Sequence, residues 1–182
     1  IGAFERVAVV RAVDGPRLTS EPIRIAYREN VPSGRSPEAI VLLHGSPGRS
    51  ADFSRLAPIL ARNARVVVPD LPGFGSSSRS LPDYSFRAHA IYVRQLLDRL
   101  GIQRVHVLGY SMGGGVALSL TDVAPERVAS LTMLSAIGVQ EMELTGDYYV
   151  NHVVHGVQLL GLWLLREFTP HLGRLDRSAL GV

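Results

Sequence analysis

Three short apolar runs constrain this chain more than any other feature: "AIVLLHG" at 39–45, "RVVVPD" at 65–70 and "RVHVLGY" at 104–110. The first is continuous rather than alternating, so as a strand it has no polar face to turn to water and must be covered on both sides. The segments between the runs supply the covers. "ADFSRLAPILAR" places Phe53, Leu56, Ile59 and Leu60 at helical spacing, with Ser50 or Asp52 as a cap. "SFRAHAIYVRQLLDRLG" sets Ile91, Leu96, Leu97 and Leu100 on one helix face and stops at Gly101. "SMGGGVALSLTDVA" reads as a helix stopped by Pro125, and "RVASLTMLSA" as a further strand. Upstream, "RVAVVR" and "IRIAYRE" form an opening pair of strands joined by a turn at Asp14-Gly15-Pro16. Strands alternating with helices predict an α/β fold, a mostly parallel sheet flanked by helices on both faces.

From about Gly138 the rhythm changes. "DYYVNHVVHGVQLLGLWLLREF" carries Val150, Val153, Val154, Val157 and Leu160 at helical spacing, and no new strand follows. The expected organisation is therefore an α/β core over 1–138 and a helical segment over 139–182, which either completes the core or forms a lid over a site. Its longest nearly unbroken apolar run, "GVQLLGLWLL" at 156–165, is half the roughly 20 residues that span a bilayer, so no transmembrane segment is expected.

Charge and composition narrow the partners. All 19 basic residues are arginines, the net charge is only +3, and the arginines are scattered from Arg6 to Arg177 without a basic block. That distribution argues against nucleic acid as a partner. With no cysteine there is no disulfide, thiol nucleophile or thiolate metal site. No leader resembling a signal peptide opens the sequence, and a cytoplasmic location is the expectation.

The chemistry concentrates at "VHVLGYSMGGGVALSL". Ser111 stands where a buried strand turns into a helix, with Gly109 two residues before and Gly113 two after, giving G-x-S-x-G. A nucleophile on so sharp a turn has a strained backbone, and its neighbours must be small to avoid clashing across it. The geometry pushes the serine oxygen out at the carboxyl edge of the sheet, above a helix N-terminus whose free N–H groups favour developing negative charge. A dinucleotide loop would need a glycine where Ser111 stands, and a phosphate-binding P-loop a lysine that the chain lacks.

Two other loops join it. "HGSPG" at 44–48, "DLPGFGSS" at 70–77 and "GYSMGG" at 109–114 close the third, fourth and fifth strands. Together they resemble the hallmark motifs of the α/β-hydrolase superfamily, in the same order, over approximately residues 23 to 138. The resemblance implies the α/β-hydrolase fold, cut after about six strands, with 139–182 as the start of a helical cap. It implies a serine hydrolase acting by acyl transfer on an ester, thioester, amide or activated carbon–carbon bond. In that family the backbone N–H groups after the His-Gly pair and after the nucleophile hold the oxyanion; by resemblance these belong to Ser46 and Met112. His44, Gly45, Gly109 and Gly113 are then structural parts of the motifs, and Asp70 a loop-organising carboxylate. Members with aspartate at the elbow, such as haloalkane dehalogenases and epoxide hydrolases, form alkyl-enzyme esters, whereas serine implies attack on an acyl centre. No metal or organic cofactor is implied. The apolar content of the cap points to a small or medium apolar substrate.

The resemblance also says what else Ser111 needs. The family order is Ser, then acid, then His, on strands later than those read here. His44, His89 and His106 precede Ser111; His152, His155 and His171 follow it in the helical segment, and after the sixth strand "LSAIG" offers no carboxylate. No base and no acid are assigned. Two alternatives stand beside the serine hydrolase: a noncatalytic ligand-binding protein of the same fold, and a cofactor-free perhydrolase or haloperoxidase.

Overall fold

The computed structural model describes residues 5–32 and 39–137, together with Val157, Leu160 and Gly161. The chain divides into two compact units, Ile1–Val139 and Gln140–Val182, and the first holds every strand among the described residues. The helical segment expected over 139–182 falls outside the described residues, apart from those three helical positions.

Six strands form one sheet: β1 (Glu5–Asp14), β2 (Arg17–Asn30), β3 (Ala39–Leu43), β4 (Arg65–Pro69), β5 (Val105–Tyr110) and β6 (Val128–Leu134), in the order β1-β2-β4-β3-β5-β6. The hairpin of β1 and β2 turns at Gly15, and β2 lies antiparallel to β4, whereas β3 to β6 are mutually parallel. As the apolar runs predict, Val41, Leu42, Leu43, Val66, Val67 and Val68 are all buried, and both faces of the sheet are covered where they lie.

The α-helices among the described residues of the first unit are α1 (Ala57–Leu60), α2 (Phe86–Arg99) and α3 (Met112–Val123). The chain leaves β3 for β4 on one side, then crosses β3 to reach β5 and moves on to β6. Right-handed crossovers therefore put α1 on one face and α2 and α3 on the other. The packing agrees: Leu42, Phe53, Ala57, Val66 and Val68 form a small core under α1, and the larger core joins Val41, Leu43, Val67 and Val107 to α2 and α3. The progression reverses between β3 and β5, so the loops leaving those two strands diverge and open a crevice at their carboxyl ends, where open α/β sheets bind ligands.

One expectation needs correction. The helix read over "ADFSRLAPILAR" is broken into a 3₁₀ turn at Ser50–Phe53 and the single turn α1, and Ile59 is exposed while Ala57 is buried. Pro58 is the cause: it has no N–H to donate to Ser54, so a continuous α-helix cannot pass through it. In α2 Leu96 and Leu97 are buried and Ile91 and Leu100 pack partly buried against the same core, as the spacing predicts, while Ala88, Tyr92 and Val93 widen the buried face. The Tyr92 hydroxyl accepts the Val13 N–H at 3.0 Å and ties the helix to β1. Ser85 caps α2 by accepting the Ala88 N–H, and Gly101 ends it at φ +66°.

Candidate active site

The turn from β5 into α3 places Ser111 at φ 50°, ψ −119°. A serine with positive φ is held there by its surroundings rather than by its own preference. Three backbone bonds do the holding. The Ser111 N–H donates to the Leu134 carbonyl at 3.1 Å, and the Ser111 carbonyl accepts from Gly114 at 2.9 Å and from Ile137 at 3.1 Å. The turn at Ser111 is thus clamped to the end of β6. The "LSAIG" stretch supplies no carboxylate but serves this purpose, with Ser135 itself at φ 43°.

The glycines around Ser111 are required by close approach. A Cβ on Gly109 would lie 2.5 Å from the Gly113 carbonyl oxygen, and one on Gly113 would lie 2.2 Å from the Leu43 carbonyl oxygen at the end of β3. A Cβ on Gly45 would lie 3.0 Å from the Ser111 Cβ, so the loop after β3 rests directly against the serine. The structure therefore brings Gly45, Gly109, Ser111, Met112 and Gly113 together, with Ser46 the next residue along the loop. Ser46 is exposed, its peptide bond to Pro47 is cis, and Met112 is partly buried at the first turn of α3.

His44 is a buried brace. Its Nε2 accepts the Leu71 N–H at 2.9 Å, so the ring proton sits on Nδ1 and donates to the Gly45 carbonyl at 2.8 Å. One neutral imidazole thereby joins the loop after β3 to the loop after β4. Burial pushes its pKa below the ordinary value, against the Gly45 carbonyl and the Asp70 and Asp52 charges, which favour the cation. Asp70 organises the second loop, as expected. Its Oδ1 accepts from the Ser50 N–H at 2.6 Å and its Oδ2 from the Ser76 N–H at 2.8 Å, while its own carbonyl accepts the Ser77 hydroxyl. Burial alone would raise the Asp70 pKa, but the Ser76 and Ser50 N–H groups outweigh it and hold the carboxyl below its usual range. Gly75, at φ 50°, passes so close that a Cβ there would lie 2.0 Å from the Asp70 Oδ2.

The neutral His44 yields a pH prediction. Its folded pKa lies below the unfolded value of about 6.5, so the stability it contributes is present above that pH and lost as pH falls through the folded pKa. The unfolding free energy of the complete protein should drop between pH 7 and pH 5, by no more than about 1.4 kcal/mol per pH unit for this one proton. Urea denaturation at stepped pH checks this. A His44→Gln protein, whose side-chain carbonyl still accepts from Leu71, should lose that component; an unchanged pH slope would count against the brace.

None of the described histidines is placed to take a proton from Ser111. Both ring nitrogens of His44 are engaged, and those of His89 lie 2.9 Å from the Ser85 and Pro72 carbonyls. His106 bonds the Ser130 hydroxyl. His152, His155 and His171 lie outside the described residues. Among the described residues no three His, Asp or Glu side chains come together to hold a metal ion, and no helix is long and apolar enough to cross a membrane.

Comparison with known proteins adds the following. The family model for the alpha/beta hydrolase fold matches residues 38–159. An uncharacterized protein of Mycobacterium tuberculosis strain H37Rv is 38% identical over 175 residues, covering 94% of this chain and 51% of the relative. Fluoroacetate dehalogenase of a Burkholderia species is 38% identical over 122 residues, covering 64% of this chain and 40% of the relative. Among solved structures, a probable hydrolytic enzyme from Pseudomonas aeruginosa PAO1 is similar with a TM-score of 0.68 and 28% identity, over 80% of this chain and 46% of that one. The chain spans about half the length of the curated relatives it matches.

Proposed function

Because this chain belongs to the α/β-hydrolase fold family, we propose that Ser111 is the nucleophile of a hydrolase that works by acyl transfer at a carbonyl centre. The observation that carries this reading is the backbone of Ser111 itself, a non-glycine residue kept at positive φ by three backbone bonds at the carboxyl edge of the sheet. Such strain is maintained where a side chain must be presented.

In this reading the Ser111 Oγ attacks the carbonyl carbon, and the oxygen that becomes negative is held by the N–H groups of Ser46 and Met112. A donor of this kind contributes about 3 kcal/mol to the transition state. The leaving group departs, an acyl-enzyme remains, and water releases the acid. The serine proton passes to an imidazole, oriented by a carboxylate, that lies outside the described residues. Residues 139–182 belong to the substrate-selecting cap, and the apolar sequence there favours an apolar acyl substrate. The dehalogenase relative's name would point instead to a carbon–halogen bond, but serine at position 111 supports an acyl centre.

The test is covalent labelling of the complete protein with a fluorophosphonate probe, followed by peptide mapping. Modification should fall on Ser111 and be absent from Ser111→Ala. Labelling elsewhere, or none while fluoroacetate is defluorinated, would remove the assignment; a folded protein that neither labels nor turns over acyl substrates would support the noncatalytic reading.

A further inference from the structure

A cleft of about 350 Å3 opens beside the loop that Asp70 organises, on the side of β2, and its charged lining is unusual for this molecule. Three arginines from three separate segments converge on it: Arg28 from β2, Arg49 from the loop after β3 and Arg79 from the loop after β4. Among the described residues the four ion pairs engage Arg6, Arg65, Arg87 and Arg127, and none involves these three. The Nε of Arg28 is buried without a hydrogen-bond partner, although Glu5 stands opposite it across the β1–β2 pair and lines the same cleft. The other acid in the wall, Asp70, has each carboxylate oxygen already occupied by a backbone N–H. Three positive charges face two negative ones, and the buried donor remains bare.

We propose that this cleft binds a small oxyanion, the phosphate or carboxylate group of a compact metabolite. An oxyanion in the cleft gives the guanidinium heads of Arg28, Arg49 and Arg79, which form no ion pair among the described residues, a shared charged acceptor. Arginine suits the task because its planar fork matches both carboxylate and phosphate oxygens, and because it stays charged. The volume lies at the lower end of small-molecule clefts, about 300–1,000 Å3, so the ligand is larger than a lone ion but no larger than a compact metabolite. Ser50 and Ser76, whose N–H groups hold Asp70, also line the cleft, so an occupant braces the two loops from outside. This binding does not depend on the role proposed for Ser111.

Calorimetric titration of the complete protein with pyrophosphate and, separately, with citrate tests the proposal, with sodium chloride at matched ionic strength as the control. One-to-one binding is expected for at least one of the two, and the tighter arm tells phosphate from carboxylate. Arg28→Gln should weaken it at least tenfold. Its ligand-free melting temperature should stay level or rise, because the bare buried donor is gone; a merely structural Arg28 would lower it. Arg79→Gln, at an exposed position whose guanidinium donates to the Gly75 carbonyl at 3.1 Å, should weaken binding severalfold and decides the matter if Arg28→Gln fails to fold. Binding of neither anion above the chloride control, or affinity within twofold of the parent in both variants, would overturn the proposal.

Discussion

Ser111→Ala in the complete protein should lower kcat/KM for p-nitrophenyl butyrate on the order of 10⁴- to 10⁶-fold, leaving what the oxyanion donors and binding contribute by themselves. The fold should survive. The three bonds that hold position 111 use its N–H and carbonyl, not its hydroxyl, and alanine at φ 50° is no more crowded than serine. Thermal unfolding within a few degrees of the parent would separate lost chemistry from lost structure. A well-folded Ser111→Ala protein that keeps more than a tenth of the parent rate would show that another group attacks the substrate.

The second large effect is expected at Gly113→Val. The turn alone would predict a loss mainly of activity. The structure predicts more, since the new Cβ would meet the Leu43 carbonyl oxygen at 2.2 Å and the His44 carbonyl oxygen at 2.7 Å. Both are backbone atoms at the end of a central strand, with no rotamer to give way. Either α3 lifts from the sheet or the end of β3 shifts and carries Gly45 with it. Destabilisation of about 3 kcal/mol or more is expected, at the high end for single substitutions, and the shift of Gly45 should abolish labelling of Ser111 by the fluorophosphonate. Chemical denaturation and labelling in parallel check both halves. A Gly113→Val protein of parental stability and labelling rate would mean that the α3–β3 approach is looser than described.

The parts of this architecture that were legible in the sequence are those with a local signature. Continuous apolar runs marked β3 and β4, and the glycines at 109 and 113 marked a turn whose crowding the structure then displays. Asp70 could be read as a loop organiser because its partners lie within its own motif or in the neighbouring one. The break at Pro58 was written in the sequence but outweighed by the helical spacing of Phe53, Leu56, Ile59 and Leu60. Other features had no signature to read. The clamp from Leu134 and Ile137 onto Ser111 is made entirely by backbone atoms, which any residue supplies. The arginine cleft draws on positions 28, 49 and 79, too far apart for any pattern to join them before the chain is folded. No described histidine stands where it would take a proton from Ser111.

The clamp bears on how such a protein can change over time. Because Ile137 fastens the turn at Ser111 to the exit of β6, the backbone that carries the Ser111 hydroxyl is fixed before the chain goes on to residue 138 and beyond. Substitutions or length changes after that point leave the three fastening bonds in place. On the function proposed for Ser111, attack geometry and substrate choice then vary independently, and a lineage exchanges its preferred molecule without rebuilding the turn at position 111.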